Sequence, residues 1–222
     1  MIGDASGAAP TAAGFVRLLS AVATALPEHR DELNRLDGVA GDGDLGLTVT
    51  TACRALLELA PSLEAMPEVA AIRAAGMEIA KKAPSTGGTL IAFALMGAAK
   101  APVAAEATGL QRAAAYLEAA AATIAQRGQV AVGDRTMLDA LQPAAEALWA
   151  AAVSGATSDE AIRSAAAAAD AGAASTTSMA AKVGRAGWLA SRAAGHEDAG
   201  ARLIALAIAA GFSLDQEWHD RA

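Results

Sequence analysis

Apolar residues recur at intervals of three and four along most of this chain, and that periodicity limits the possible folds more than any other feature. Hydrophobic residues make up 54% of the sequence but aromatic residues only 3%, and most of the apolar content is alanine, followed by leucine, valine and isoleucine. Alanine and leucine have high helix propensities, and small side chains let helices pack closely. No alternating run of β-branched residues is long enough to build a sheet. The sequence therefore predicts an all-α protein.

The 222 residues fit a single domain with a substantial core, and we assign residues 1–222 to it, with the core of the domain at about residues 12–211. A proline at a helix start and acidic residues in several first turns support individual helix boundaries. The periodicity predicts helices, some close enough to merge, near residues 11–26, 28–36, 46–60, 66–82, 89–101, 109–127, 136–153, 158–174, 176–191 and 197–211.

The net charge of −7 argues against a protein that tracks nucleic-acid phosphates or binds an anionic membrane surface. A single cysteine, Cys53, excludes an internal disulfide framework and is expected to be a small core residue. No apolar stretch approaches the length of about 20 residues that a membrane span needs, and no basic segment typical of a secretory signal precedes the first helix. We therefore predict a cytoplasmic protein without nucleic-acid or membrane partners.

Four segments between the predicted helices are rich in glycine and carry Asp, Ser, Thr or His, although simple helix connections need only a few polar residues. They are residues 38–46, 81–89, 128–136 and 192–200. If the helices run alternately up and down, loops separated by an even number of helices emerge at the same end. We therefore expect these loops to meet over one mouth of a bundle, where loops on a rigid scaffold commonly carry function.

The first of these segments holds three aspartates, Asp37, Asp42 and Asp44, in a stretch whose glycines argue against a helix. Three converging carboxylates repel one another unless a cation lies between them. Mg²⁺ prefers oxygen ligands, and two ions bridged by the phosphates of a nucleotide would use all three carboxylates. A solvated Asp-Gly turn with a helix cap at Asp44 is the alternative, whereas an EF-hand fits less well because its spacing is absent.

The other three loops give weaker signals. Residues Ser85 to Gly88 form a glycine-rich turn before an apolar helix, an arrangement that cradles phosphate, although the lysine of a Walker motif is absent. In the third loop Thr136 precedes an amphipathic helix, and helix capping explains it equally well. In the fourth region Arg185 could meet phosphate, while Asp198 could simply cap the last helix.

Taken together, the ordered motifs "LD…GDGDLG", "PSTGGTL", "GDRTMLDAL" and "STTSMAAKVGRAGWL…GHEDAGA" resemble the L subunit of dihydroxyacetone kinase, the DhaL or Dak2 family. The resemblance extends from about residue 12 to 211. It implies an antiparallel barrel of eight amphipathic helices with ADP or ATP at one rim and two Mg²⁺ ions on Asp37, Asp42 and Asp44, which we take as the catalytic and metal residues. It further implies nucleotide contacts from Ser85, Thr86, Gly87, Gly88, Thr89, Gly133, Thr136, Met137, Arg185 and Asp198.

The same resemblance implies that the acceptor, a small hydroxyketone, is held by a separate DhaK-like substrate-binding subunit, so that this chain transfers a phosphoryl group only with its partner. One branch of the family uses ATP; the other keeps ADP, which a phosphohistidine protein of the phosphotransferase system rephosphorylates. The sequence does not decide between these donors, nor whether the chain forms a homodimer. Two departures stand out: Leu45 replaces a histidine, and Gly87 falls where the family has serine.

Two other functions stay open at this point. A chain without a sugar site could be a non-catalytic subunit that binds Mg-ADP and modulates a transcription regulator. It could also be an alanine-rich helical scaffold, in which case it would bind no Mg-nucleotide.

Overall fold

The computed structural model describes residues 11–183 and 190–219, and within them the chain is helical, with one isolated bridge between Thr11 and Pro67 in place of any strand. A 3-10 turn, Leu26–His29, joins the first two helices, and a second one, Thr176–Ser178, follows the eighth. The α-helices are α1 (Ala13–Ala25), α2 (Arg30–Ala40), α3 (Leu45–Leu63), α4 (Glu68–Lys82), α5 (Thr86–Ala98), α6 (Gly109–Gly128), α7 (Leu138–Ser154), α8 (Ser158–Ser175), α9 (Ala190–Ala193) and α10 (Ala199–His219).

Eight of these helices form a closed ring. Each of α3 to α8 packs against its neighbour in the chain, α10 packs against α8, and the ring closes where α10 meets α1 and α1 meets α3. Because most of these neighbours are joined by short connections, they run antiparallel. The predicted antiparallel eight-helix barrel is therefore confirmed, with α2 as an additional helix that packs on α3 and α10.

The alternating helix directions place four connections at one end of the barrel, which we call the rim. They are the links from α1 to α3, from α4 to α5, from α6 to α7 and from α8 to α10, at residues 26–44, 83–85, 129–137 and 176–198. The four glycine-rich segments overlap these links, as the sequence predicted, although Gly87 and Gly88 of the second segment lie in α5. The opposite end carries the links at 64–67, 99–108 and 155–157.

The core differs between the two sides of the barrel. Around α1, α3 and α4 the buried residues include large side chains such as Leu33 and Leu63, together with Cys53. Burial raises the pKa of the Cys53 thiol to about 11, which fits the predicted role as a core residue. Around α6, α7, α8 and α10 the buried set is almost entirely alanine, with Leu148 as its one larger buried member. Alanine lets these helices approach closely, so the barrel side that carries the third and fourth loops is tightly packed.

Two predictions of local structure were wrong. The stretch from Asp37 to Ala40 is helical, because α2 continues to Ala40 and the loop is confined to residues 41–44. The helix predicted at 176–191 is interrupted: Thr176–Ser178 is a 3-10 turn, Met179 is extended, and residues 180–183 are not helical. Threonine and serine compete with helical hydrogen bonds, and here the Thr176 hydroxyl donates to Ala173 O.

None of the described helices is both long enough and apolar enough to cross a membrane.

Candidate functional site

The acidic loop is held in shape by the first of its three aspartates. Asp37 lies in the last turn of α2, and its Oδ2 accepts hydrogen bonds from Gly43 N at 2.8 Å and Asp44 N at 3.1 Å. Gly43 has φ +77°, a left-handed conformation that glycine adopts without a steric cost. Asp37 therefore folds the loop back over the end of α2 and brings the other two carboxylates close to its own.

A second side chain of α2, which the sequence analysis did not single out, fixes the start of α3. Asn34 Oδ1 accepts hydrogen bonds from Gly46 N at 2.7 Å and Leu47 N at 3.3 Å, two of the N–H groups that a helix start leaves unpaired. A Cβ at Gly46 would overlap the carbonyl oxygen of Arg30, so the two helices approach at a residue without a side chain. The sequence did contain a signal for this contact, since Asn34 is a polar residue one helical turn before Asp37.

The three carboxylates converge as the sequence predicted. One oxygen from each of Asp37, Asp42 and Asp44 lies within 4.8 Å of the others, and among the described residues this is the only such cluster of possible metal ligands. Asp37 is half-buried, whereas Asp42 and Asp44 are exposed. Like charges at this separation repel, and a divalent cation with oxygen ligands removes the repulsion. The donor set therefore fits Mg²⁺.

The second loop lies directly beside this cluster. Ser85 is the N-cap of α5, and its Oγ accepts a hydrogen bond from Gly88 N at 3.0 Å. Thr86 and Gly87 stand in the first helical turn, where backbone N–H groups have no intrahelical acceptor. A Cβ at Gly87 would lie 3.5 Å from Leu45 Cδ1, so the two departures from the family pattern face each other.

An open cavity of about 270 Å³ joins the two loops. Asp44, Leu47, Thr48 and Thr51 line it from the start of α3, and residues 82–85 line it from the end of α4. The cavity therefore connects the acidic cluster with the cap of α5.

The third loop is organised by Asp139, a residue of "GDRTMLDAL" to which the sequence analysis gave no role. Its carboxylate is 2% exposed and accepts hydrogen bonds from Gly133 N at 2.5 Å and Thr136 N at 2.7 Å. Thr136 Oγ1 accepts from Leu138 N at 3.2 Å. Thr136 lies one residue before the N-cap of α7, Met137, which makes no side-chain cap. The signal was an aspartate in the first turn of a helix that follows a glycine-rich loop.

Arg135 ties the third loop to the fourth. Its backbone has φ +61°, which is rare for a residue with a side chain, and the residue is 4% exposed. One guanidinium nitrogen donates to Ala193 O at 2.9 Å and His196 O at 2.8 Å, while the buried Nε has no partner among the described residues. Lys182 adds a second link with an ion pair to Asp134 at 2.7 Å.

Asp198 caps the last helix, which is the simpler of the two roles considered for it. Its Oδ1 accepts a hydrogen bond from Ala201 N at 2.8 Å, and its own N–H donates to Thr176 Oγ1 at 2.8 Å. Burial raises the pKa of this carboxyl to about 6, although its hydrogen bonds and Arg135 act in the opposite direction. The charged form is therefore held at an energetic cost near neutral pH.

Three residues remain of those predicted to contact the nucleotide. Thr89 lies one turn into α5, where its N–H bonds to Ser85 O at 2.9 Å. Met137 is 8% exposed and belongs to the core beneath Gly200, so most of its surface is not available to a ligand at the rim. Arg185 lies outside the described residues, and its predicted contact stays a prediction.

Comparison with known proteins gives a consistent result. The DAK2 domain matches residues 39–212. The chain is 36% identical to D-erythrulose kinase of Mycolicibacterium smegmatis over 86% of its own length and 33% of the relative's. It is 32% identical to the ADP-binding subunit DhaL of PEP-dependent dihydroxyacetone kinase 2 of Listeria innocua, over 84% of its own length and 87% of that subunit.

A solved structure supports the same fold. The native crystal structure of the dihydroxyacetone kinase of C. freundii superposes with a TM-score of 0.69 and 26% identity, over 96% of this chain and 37% of that one. The chain spans about one third of the length of the first curated relatives it matches, and most of the length of the separate DhaL subunit.

Proposed function

The chain belongs to the DAK2 domain family, and from this premise we propose that it is the nucleotide-binding part of a dihydroxyacetone-type kinase. In this proposal it binds ADP or ATP with two Mg²⁺ ions and transfers a phosphoryl group to a small hydroxyketone held by a separate DhaK-like subunit or domain. The observation that carries the proposal is the convergence of three carboxylates within 4.8 Å, beside the capped N-terminus of α5.

The roles of the residues follow from their positions. Bound Mg²⁺ would offset the charge on the phosphates, which is the main requirement of phosphoryl transfer. Asp42 and Asp44 supply exposed carboxylate oxygens for the metal, and Asp37 also keeps the loop folded through its two backbone contacts. The N–H groups of Thr86 and Gly87 are suited to donate hydrogen bonds to phosphate oxygens at a helix N-terminus. Ser85 supports that turn by capping it.

Leu45 changes one element of the family pattern. It is partly buried against the core and faces Gly87, so it offers an apolar contact where a histidine would offer a nitrogen. We infer that Leu45, packed beside Gly87, makes no polar contact with the nucleotide. The charge of the phosphates is then offset by the metal on the carboxylates and by groups outside this loop.

We infer the phosphoryl acceptor and the phosphoryl donor from different observations. The relatives are named for erythrulose and dihydroxyacetone, which are both short hydroxyketones, so we assign the acceptor to this class. For the donor we keep two candidates: ATP, or ADP that is rephosphorylated by a phosphohistidine protein, because the DhaL relative is described as PEP-dependent.

The experiment is a titration with Mg-ADP and Mg-ATP, followed by an assay of phosphoryl transfer with a purified DhaK-type subunit and dihydroxyacetone. Asp44→Asn should abolish measurable binding and transfer. Asp159→Asn removes one carboxylate at the opposite end of the barrel, and it should bind and react like the unchanged protein. Binding without transfer to any hydroxyketone would favour the non-catalytic regulatory subunit, and an absence of Mg-nucleotide binding would favour the scaffold.

A further inference from the structure

The open cavity beside the acidic cluster has walls of opposite charge. Asp44 stands on the α3 side, and Lys82, in the last turn of α4, stands on the other. Thr48 and Thr51 add hydroxyl groups, and Ser85 marks the start of α5. A cavity with these walls suits a ligand that carries negative charge and bonds to a metal on its Asp44 side.

Two consecutive lysines end α4, but only one of them lines this cavity. Lys81 and Lys82 are both exposed and both lie near the negative end of the helix dipole, which favours cations there. Lys82 contributes to the cavity wall, whereas Lys81 does not. Neither lysine forms an ion pair with a carboxylate among the described residues, so the observed difference between them is that Lys82 lines the cavity.

The charge balance of the site calls for such a group. Two divalent cations set against three carboxylates and a nucleotide polyphosphate leave an excess of negative charge in one small volume. Lysine is a compact, strongly hydrated point charge on a flexible stem and commonly binds phosphate in that form. The acidic loop, residues 41–44, has no cationic side chain of its own.

We propose that Lys82 contacts the metal-bound phosphates of the nucleotide and offsets their charge across the cavity from Asp44. This inference rests on the proposed function, since it requires a Mg-nucleotide at the acidic cluster. The comparison with a Walker motif missed this residue. A Walker lysine follows the glycines, whereas Lys82 precedes them at the end of α4.

The test compares Lys82→Met with Lys81→Met, which remove the same charge from adjacent positions. Affinities for Mg-ATP and Mg-ADP are measured by calorimetry at two salt concentrations, and the urea unfolding midpoint is measured for each variant. We expect Lys82→Met to weaken Mg-ATP binding about tenfold, as for loss of a hydrogen bond to a charged group. Lys81→Met should bind within about twofold of the unchanged protein, and Lys82→Arg should recover most of the loss.

The outcomes separate this inference from the proposal on which it depends. If Asp44→Asn abolishes binding while both lysine variants bind equally well, the role of Lys82 is overturned and the proposed function stands. If the unchanged protein does not bind Mg-nucleotide, both are overturned. A selective loss in Lys82→Met that decreases at high salt, with an unfolding midpoint matching that of Lys81→Met, supports a direct electrostatic contact.

Discussion

The two halves of the rim are built in opposite ways. The acidic half, residues 34–47 and 82–89, presents exposed carboxylates and an open cavity, and its side chains mainly hold backbone turns. The braced half, residues 131–139 and 193–201, contains the buried Arg135, which hydrogen-bonds from the third loop to the fourth, and the buried Asp139, which holds the third loop. One half presents exposed carboxylates to solvent, and the other uses buried charged groups to hold its loops in place.

This contrast separates binding from stability. Substitutions in the acidic half remove ligands for a cation but leave little buried surface unsatisfied. Substitutions in the braced half leave buried polar groups without partners, which destabilises the fold. The rim therefore combines one half that can bind a cation with another half whose loops are held by buried hydrogen bonds.

The largest expected effect is on metal-dependent binding in the acidic half. Asp42→Asn should weaken Mg-nucleotide binding by about 100-fold or more, since even a group that only supports a metal ligand can cost that much. Without ligand its free energy of unfolding should change little, because the side chain is exposed and the substitution also relieves repulsion among three like charges. Calorimetry and urea unfolding of the same preparation measure both; a clear loss of stability would contradict the contrast.

A large effect on stability is expected in the braced half. Asp139→Ala leaves Gly133 N and Thr136 N without their acceptor, and we expect the free energy of unfolding to fall by about 3 kcal/mol. Asp139→Asn keeps one carbonyl oxygen and should lose less. Urea unfolding monitored by circular dichroism provides the measurement, and equal stability of the alanine variant and the unchanged protein would show that the third loop does not depend on this carboxylate.

The pH dependence of the braced half gives a smaller effect. The pKa of Asp198 is about 6 in the folded protein, above its ordinary value of 3.8, so the folded state binds its proton more tightly than the unfolded state. The contribution of this group to stability is therefore present at low pH and is lost as the pH rises from about 4 to about 6.

The comparison that isolates this contribution is Asp198→Asn, in which the group no longer titrates. The difference in unfolding free energy between the two proteins should change across this pH range, with the unchanged protein relatively more stable at its acidic end. Among the described residues, the charged groups that act on Asp198 are Arg135, which lowers its pKa, and Asp139, which raises it. A difference that stays constant with pH would show that Asp198 is not desolvated.

The smallest expected effect lies far from the rim and serves as a reference. Thr157 forms a capping box with Glu160 at the start of α8. Thr157→Ala should lower the free energy of unfolding by about 1 kcal/mol. Nucleotide affinity should not change, and a weaker affinity would mean that global stability, and not local structure, controls the site.

The sequence predicted the helical class, the common position of the four loops and the convergence of the aspartates because each depends on local periodicity or short spacing. It missed Asn34 and Asp139 because their roles depend on which backbone N–H groups come within reach after folding. It also missed the end of α2, since the glycine at 38 suggested a loop where the helix continues to Ala40. At the end of α8, the Thr176 hydroxyl donates to Ala173 O, a local contact, and accepts from Asp198 N, 22 residues away, a contact that no local pattern reveals.

The contact between α1 and α10, which we call the seam, closes the ring by joining the first helix of the barrel to its eighth. Contacts between such distant parts of a chain carry the greatest loop-closure entropy, so we expect this seam to form late in folding. During synthesis the acidic loop would leave the ribosome before the braced half. The contacts of the braced half would form only after α10 has docked. The order of assembly thus delays a finished rim until the barrel itself has closed.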